Sequence, residues 1–202
     1  MIDTFLTPPR TTAEWAADAL RLIGFLSVVV ALVMYSPTDA GILALATPAL
    51  VAPRFVGLRG SADVVYCVTV LVAAWSNVFD IYRTVVGWDI IVHFVATGVL
   101  AGVAYLLLAR LGILPLPGTP HHGAAVGIVI TTALGLALSA LWEMIEWLGF
   151  TFISDNIFVE YDDTIGDMAA GGAGALIAGV LVAYVRLLDS RVTSAQRETA
   201  AA

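Results

Sequence analysis

Apolar residues recur along this chain in long runs, of which Leu22 to Tyr35 is the first, and polar residues gather at the junctions between them. The runs have the length of helices that cross a bilayer, roughly 20 residues each, and no ten-residue alternation of the kind seen in membrane barrels competes with them. The pattern predicts an all-α fold, a polytopic transmembrane helix bundle of six spans, at about 16–35, 40–58, 62–80, 88–110, 122–148 and 162–187. The second span is the least regular. Its uninterrupted apolar stretch, Gly41 to Ala52, is short and contains Pro48, so it crosses if Arg54 snorkels to an interface, and a re-entrant segment is the alternative. Thr11 to Glu14 has the spacing of a capping box at the start of the first helix or of an interfacial one.

Composition agrees with a bilayer as the solvent: 60% of the 202 residues are hydrophobic and the mean hydropathy is +0.94. The lone Cys67 lies within an apolar run and excludes an intrachain disulfide. The first run lacks a small-x-small cleavage site, so it reads as a retained helix rather than a signal peptide. The chain from 1 to 190 reads as one transmembrane bundle, and 191–202 as a disordered cytoplasmic tail.

Charge orients the spans. With six crossings, Arg10, Arg21, Arg54, Arg59, Arg110, Arg186, Arg191 and Arg197 fall on one side and only Arg83 on the other, which places both termini in the cytoplasm. All nine basic residues are arginine, in keeping with a high-GC prokaryotic genome and a multi-pass plasma-membrane protein. Ten of the sixteen acids fall in or near the outer half, so the net charge of -7 is one-sided. A solvated loop accounts for Asp39, Asp155, Glu160 and Asp162. It does not account for carboxylates embedded among apolar residues, which are functional by default.

Those carboxylates come as three pairs. Asp89 and His93 open the fourth helix at a spacing of four, which puts them on one face. Glu143 and Glu146 lie three apart near the end of the fifth, where like charges on neighbouring turns repel and the helix dipole disfavours both. Asp163 and Asp167 repeat the spacing of four at the start of the sixth, with Asp163 able to cap the helix. Each pair sits at the end of its helix that the arginines place outside. Five carboxylates and one imidazole at a common depth resemble the inward-facing ligands of bundle-type dinuclear metal sites. Such a cluster needs a divalent cation or shared protons, and hard oxygen ligands with one nitrogen favour Mg, Mn, Fe or Zn.

Asp80 and Arg83 form an interfacial ion pair, or hold an anionic substrate group such as a lipid phosphate above the cluster. Trp75, Tyr82, Trp88, Trp142, Trp147 and Tyr161 read as an outer aromatic belt. Gly171, Gly172 and Gly174 have the spacing of close helix packing and lack the lysine of a phosphate-binding loop. His121 and His122, after three prolines, read as a turn and helix start, with a second metal site as the alternative. Nothing points to a nucleic-acid partner.

The ordered set Trp88-Asp89-x3-His93-Phe94-x3-Gly98, Trp142-Glu143-x2-Glu146 and Asp163-Thr164-x2-Asp167 resembles the YjdF-type family of small polytopic bacterial membrane proteins of unknown function, over about 62–187. The resemblance implies a multi-span inner-membrane protein and carries no residue roles with it.

Three functions are compatible with these residues. The first is a metal-dependent membrane hydrolase or transferase acting at the outer leaflet on a lipid-linked or amphipathic substrate, with Glu143 and Glu146 catalytic, all six cluster residues as ligands, and Asp80 and Arg83 binding substrate. The second is a proton- or ion-coupled transporter. The third is a non-catalytic subunit or assembly factor of a membrane complex.

Overall fold

A computed structural model describes residues 1–118, 123–154, 157 and 159–192. His121, His122, Asp155, Arg197 and the tail from 193 lie outside them, and so do the expectations attached to those residues. The elements are α1 (Ile2–Leu6), α2 (Thr12–Met34), α3 (Pro37–Val56), α4 (Gly60–Val78), α5 (Ile81–Thr84), α6 (Trp88–Arg110), α7 (Ala124–Phe152) and α8 (Tyr161–Tyr184). Six of them, α2, α3, α4, α6, α7 and α8, are long and apolar enough to cross a membrane. The described residues contain no strand, only an isolated bridge between Leu58 and Leu188.

The exterior is as apolar as a bilayer requires. On α2, Leu22, Leu26, Val29, Leu32 and Val33 are all exposed, and on α7 so are Val129, Leu136, Leu141, Met144 and Leu148. A row of large side chains this long facing water would be an aggregation surface; facing lipid tails it is neutral.

The chain divides into two compact units, Met1–Thr84 with the segment from Arg186 onward, and Val85–Val185. In the first, α2, α3 and α4 pack on one another and α1 packs on α3. Ala31, Ala40, Leu43 and Ala74 form an apolar core there. Polar groups join the same helices. Arg21 of α2 donates to the Leu50 carbonyl of α3 (2.9 Å), to Asp18 one turn earlier (3.0 Å) and to Asp63 of α4 (2.5 Å). Arg54 of α3 pairs with Asp18 (3.1 Å) and donates to the carbonyls of Phe5 and Thr7. Arg54 is therefore satisfied by protein, where the sequence suggested snorkelling to an interface.

The second span is a continuous helix, so of the two alternatives it is the spanning one in form. Pro48 cannot donate to the Ala44 carbonyl, and the hydroxyl of Thr47 does so instead at 2.7 Å. Its start is fixed by a full capping box: Ser36 Oγ accepts from Asp39 N (3.1 Å), and Asp39 Oδ2 accepts from Ser36 N (3.1 Å). At Thr11 only half of the motif forms. Thr11 accepts from Glu14 N, while the Glu14 carboxylate takes the Arg10 N–H and the guanidinium of Arg191.

In the second unit α8 packs against both α6 and α7. Its glycines make this possible. A methyl group on Gly98 would sit 2.9 Å from the Gly174 carbonyl oxygen, so α6 and α8 touch backbone to backbone. On the other side, a methyl on Gly135 of α7 would overlap Ala175, and one on Gly179 would stand 2.8 Å from the Ile128 Cα. These approaches bring the helices together through dispersion rather than through a hydrophobic force that lipid would cancel.

Candidate functional site

One end of the second unit collects the three motif pairs. Asp89 stands in the first turn of α6 and His93 one turn further in, as a spacing of four requires. Gly87, at a φ of +77°, starts the helix from a left-handed conformation. Asp163 lies in the first turn of α8 and Asp167 one turn deeper. The N-cap is Glu160, so Asp163 is not the cap that its position in the sequence suggested; it lies within the turn, where the helix dipole favours it. Glu143 and Glu146 lie about two turns before the end of α7, because that helix runs on to Phe152 rather than stopping near 148. At that distance the dipole no longer bears on them, and burial is what makes their charge expensive.

Burial is deepest at the centre of the group. Asp167 is 1% exposed, His93 and Glu143 8% each, and Asp89, Glu146 and Asp163 are half-buried. His93 Nε2 lies 3.3 Å from Asp89 Oδ1 and 3.8 Å from Asp167 Oδ2, so the imidazole stands between carboxylates of α6 and α8. The Thr164 side chain neighbours Glu143, and that of Trp142 neighbours Glu146. Two carboxylate oxygens are left over. Glu143 Oε1 and Asp167 Oδ1 are buried with no hydrogen-bond partner.

A buried carboxylate oxygen without a donor is a costly arrangement, and it is resolved by a proton or by a cation. Ligand atoms of Asp89, His93 and Asp167 all lie within 4.8 Å of one another, and so do those of His93, Glu143 and Glu146. Asp163 belongs to neither group. The floor beneath them is polar: Ser139 Oγ donates to the Asp167 carbonyl (3.4 Å), and a methyl on Gly171 would meet Ser139 Oγ at 2.6 Å and Thr97 Oγ1 at 3.0 Å. Each of these three residues lies one turn inward from a cluster residue, Thr97 from His93, Ser139 from Glu143 and Gly171 from Asp167. Gly171 is legible in the sequence for close helix packing alone, and Thr97 and Ser139 are picked out only by that one-turn spacing.

Asp80 and Arg83 belong to the first unit, both exposed, with Asp80 in a left-handed conformation at φ +55° just before α5. Of the aromatic belt, Trp142, Trp147 and Tyr161 are exposed, whereas Trp75 packs on Phe79 and Tyr35 and donates to Ser27 Oγ.

Neither the curated proteins nor the solved structures contain a match to this chain. One family model does match, over residues 12–187, and its description is a predicted membrane protein family, DUF2238. The match reaches across α2 and α3 as well as the helices that carry the motifs, beyond the 62–187 over which the resemblance was read. The chain therefore belongs to this DUF2238 family of membrane proteins, whose function is unknown.

Proposed function

We propose that the protein binds a divalent cation at the Asp89, His93, Glu143, Glu146, Asp163 and Asp167 cluster, and acts as a metal-dependent hydrolase or transferase on a lipid-linked or amphipathic substrate. The observation that carries the reading is the pair of buried, donorless oxygens on Glu143 and Asp167, two residues that each share a ligand-spaced group with His93. The place of the cluster supports the substrate class. It lies at one end of α6, α7 and α8, and the arginine distribution favours the extracytoplasmic side of a prokaryotic plasma membrane for that end, where a lipid headgroup would be at hand.

A bound divalent ion of the Mg, Mn, Fe or Zn type would polarise a substrate oxygen or lower the pKa of a water. The chain's own residues supply the rest. His93 and Asp167 are buried and held by close helix packing, so they suit a fixed ligand role. Glu146 is half-buried and Glu143 lies one turn inward of it, which suits them to take and return a proton at the rim.

The test is metal analysis of the purified protein beside a Glu143→Gln variant. A stoichiometric divalent ion in the wild type, lost or reduced in the variant, is the expected result. Absence of any such ion, with no binding of added Mn, Zn, Fe or Mg, would overturn the reading.

A proton or ion relay is the second reading, favoured by the buried hydroxyls of Thr97, Ser139 and Thr131 in the same bundle. Against it, α6, α7 and α8 carry no carboxylate or histidine inward of that layer, and a proton path needs titratable stations. Proton or divalent-ion flux in proteoliposomes would favour the relay over the enzyme.

A further inference from the structure

The ligands fall into two sets, and the division has a physical meaning. Donor atoms bound to one ion at about 2.0–2.2 Å stand no more than about 4.4 Å apart, whatever the geometry. The set of Asp89, His93 and Asp167 gathers within 4.8 Å, and so does the set of His93, Glu143 and Glu146, but no four of these residues do so together among the described residues. A single ion placed in either set leaves the other set's carboxylates beyond bonding distance.

Charge leads to the same division. The two sets hold four carboxylates and one imidazole, so two divalent cations would balance them, whereas one would leave two negative charges uncompensated among apolar helices. The donorless oxygens are distributed accordingly. Asp167, whose Oδ1 is donorless, belongs to the first set and Glu143, whose Oε1 is donorless, to the second, and each residue is at least nine-tenths buried.

We infer that the cluster is a two-cation centre, with one ion held by Asp89, His93 and Asp167 and the other by Glu143 and Glu146. His93 Nε2 faces Asp89 and Asp167, which assigns the imidazole to the first ion. The second ion then has fewer protein ligands and keeps positions open to water or substrate oxygen, making the α7 side the reactive one. This inference rests on the divalent-cation reading above and adds the number of ions and the division of ligands.

The experiment is Mn(II) loading of the full chain in detergent after chelator treatment, with stoichiometry from elemental analysis and coupling from electron paramagnetic resonance. The wild type should hold two Mn per chain and give a spin-coupled signal. Asp167→Asn and Glu143→Gln should each hold one and give an uncoupled six-line signal, and the double variant none. Asp89→Asn and Glu146→Gln serve as second members of each set if either first variant fails to yield folded protein. One Mn per wild-type chain, abolished by either substitution, would mean a single shared ion; it would overturn the two-ion centre and leave the divalent-cation reading standing. No Mn in the wild type would overturn both.

Discussion

Arg21 of α2 donates to Asp63 of α4 while both are buried, at 7% and 4% exposure. The same guanidinium reaches Leu50 O of α3 and Asp18, so one side chain ties three helices. Removing the acid alone leaves the buried guanidinium with only the partly exposed Asp18 as counter-ion. Asp63→Ala should destabilise the protein by about 3 kcal/mol, the low end of the usual penalty for breaking a buried ion pair, because Asp18 keeps part of the charge balanced. Replacing both partners, Arg21→Met with Asp63→Leu, should cost much less. Thermal unfolding in detergent measures both, and equal losses in the single and double variants would refute the assignment of the penalty to the stranded arginine.

Thr47 and Pro48 give a smaller, sharper test. The Thr47 hydroxyl takes the place of the amide that Pro48 lacks, so Thr47→Val should cost about 1 kcal/mol. With Pro48→Ala the amide returns and the hydroxyl is redundant, so Thr47→Val should then be close to neutral. A coupling energy near zero in that double-mutant cycle would show that the hydroxyl is not compensating the proline.

These two features mark where the sequence stops being legible. Six spans can be read because hydrophobic length is a local signal, and Asp89 with His93 because a spacing of four fixes a shared face. The pairing of Arg21 with Asp63, 42 residues apart, has no periodic signature. It depends on how α2 and α4 are rotated, so the arginine distribution could orient the chain without revealing Arg21's partner. The same holds within the cluster. Asp163 and Asp167 share one spacing in the sequence, but the close approach of Gly171 and Gly174 to α7 and α6 turns Asp167 inward and leaves Asp163 outside both three-residue groups. Ser36 and Asp39 have the spacing of a capping box with a proline at the first helical position, so the helix starts at Pro37 and Asp39 is part of its cap rather than a solvated loop acid.

The segment after α8 carries a pH-dependent contact. Arg191, hydrogen-bonded to Asp189, holds that carboxyl below its ordinary range, and Asp189 with the Glu14 carboxylate raises the guanidinium in turn. A depressed acid contributes stability above its unfolded value, about 3.9, and loses it as pH falls through the lower folded value. The raised arginine stays charged across that whole range, so its contribution is constant there. The contact should be unchanged from pH 5 to 9 and weaken below about pH 4, by no more than about 0.5 kcal/mol because Arg191 is partly exposed. Hydrogen exchange at the Asp189 amide, which donates to Gly57 O at 3.0 Å, reads it directly. Arg191→Gln should abolish the pH dependence after correction for intrinsic rates.

Gly174 and Gly166 lie on the same helix and should respond oppositely to alanine. A methyl on Gly174 runs into the carbonyl of Phe94, a backbone group that cannot rotate away, so α8 must shift from α6 or the substitution is not tolerated. Overpacking of this kind costs about 1–3 kcal/mol. A methyl on Gly166 meets only Ile90 Cδ1 at 3.5 Å, an ordinary contact, and the gain in helix propensity should make Gly166→Ala neutral or stabilising by up to about 1 kcal/mol. The functional consequence follows from where the shift occurs. Asp167 stands on α8 two turns from Gly174, and His93 on α6 beside Phe94, so moving these backbones apart lengthens the 3.8 Å separation of His93 Nε2 and Asp167 Oδ2. Gly174→Ala should therefore weaken divalent-ion binding at least tenfold without removing a ligand, while Gly166→Ala leaves it unchanged. Isothermal titration with Mn on both variants checks this, and equal affinities would show that the packing of α6 on α8 does not set the geometry of the cluster.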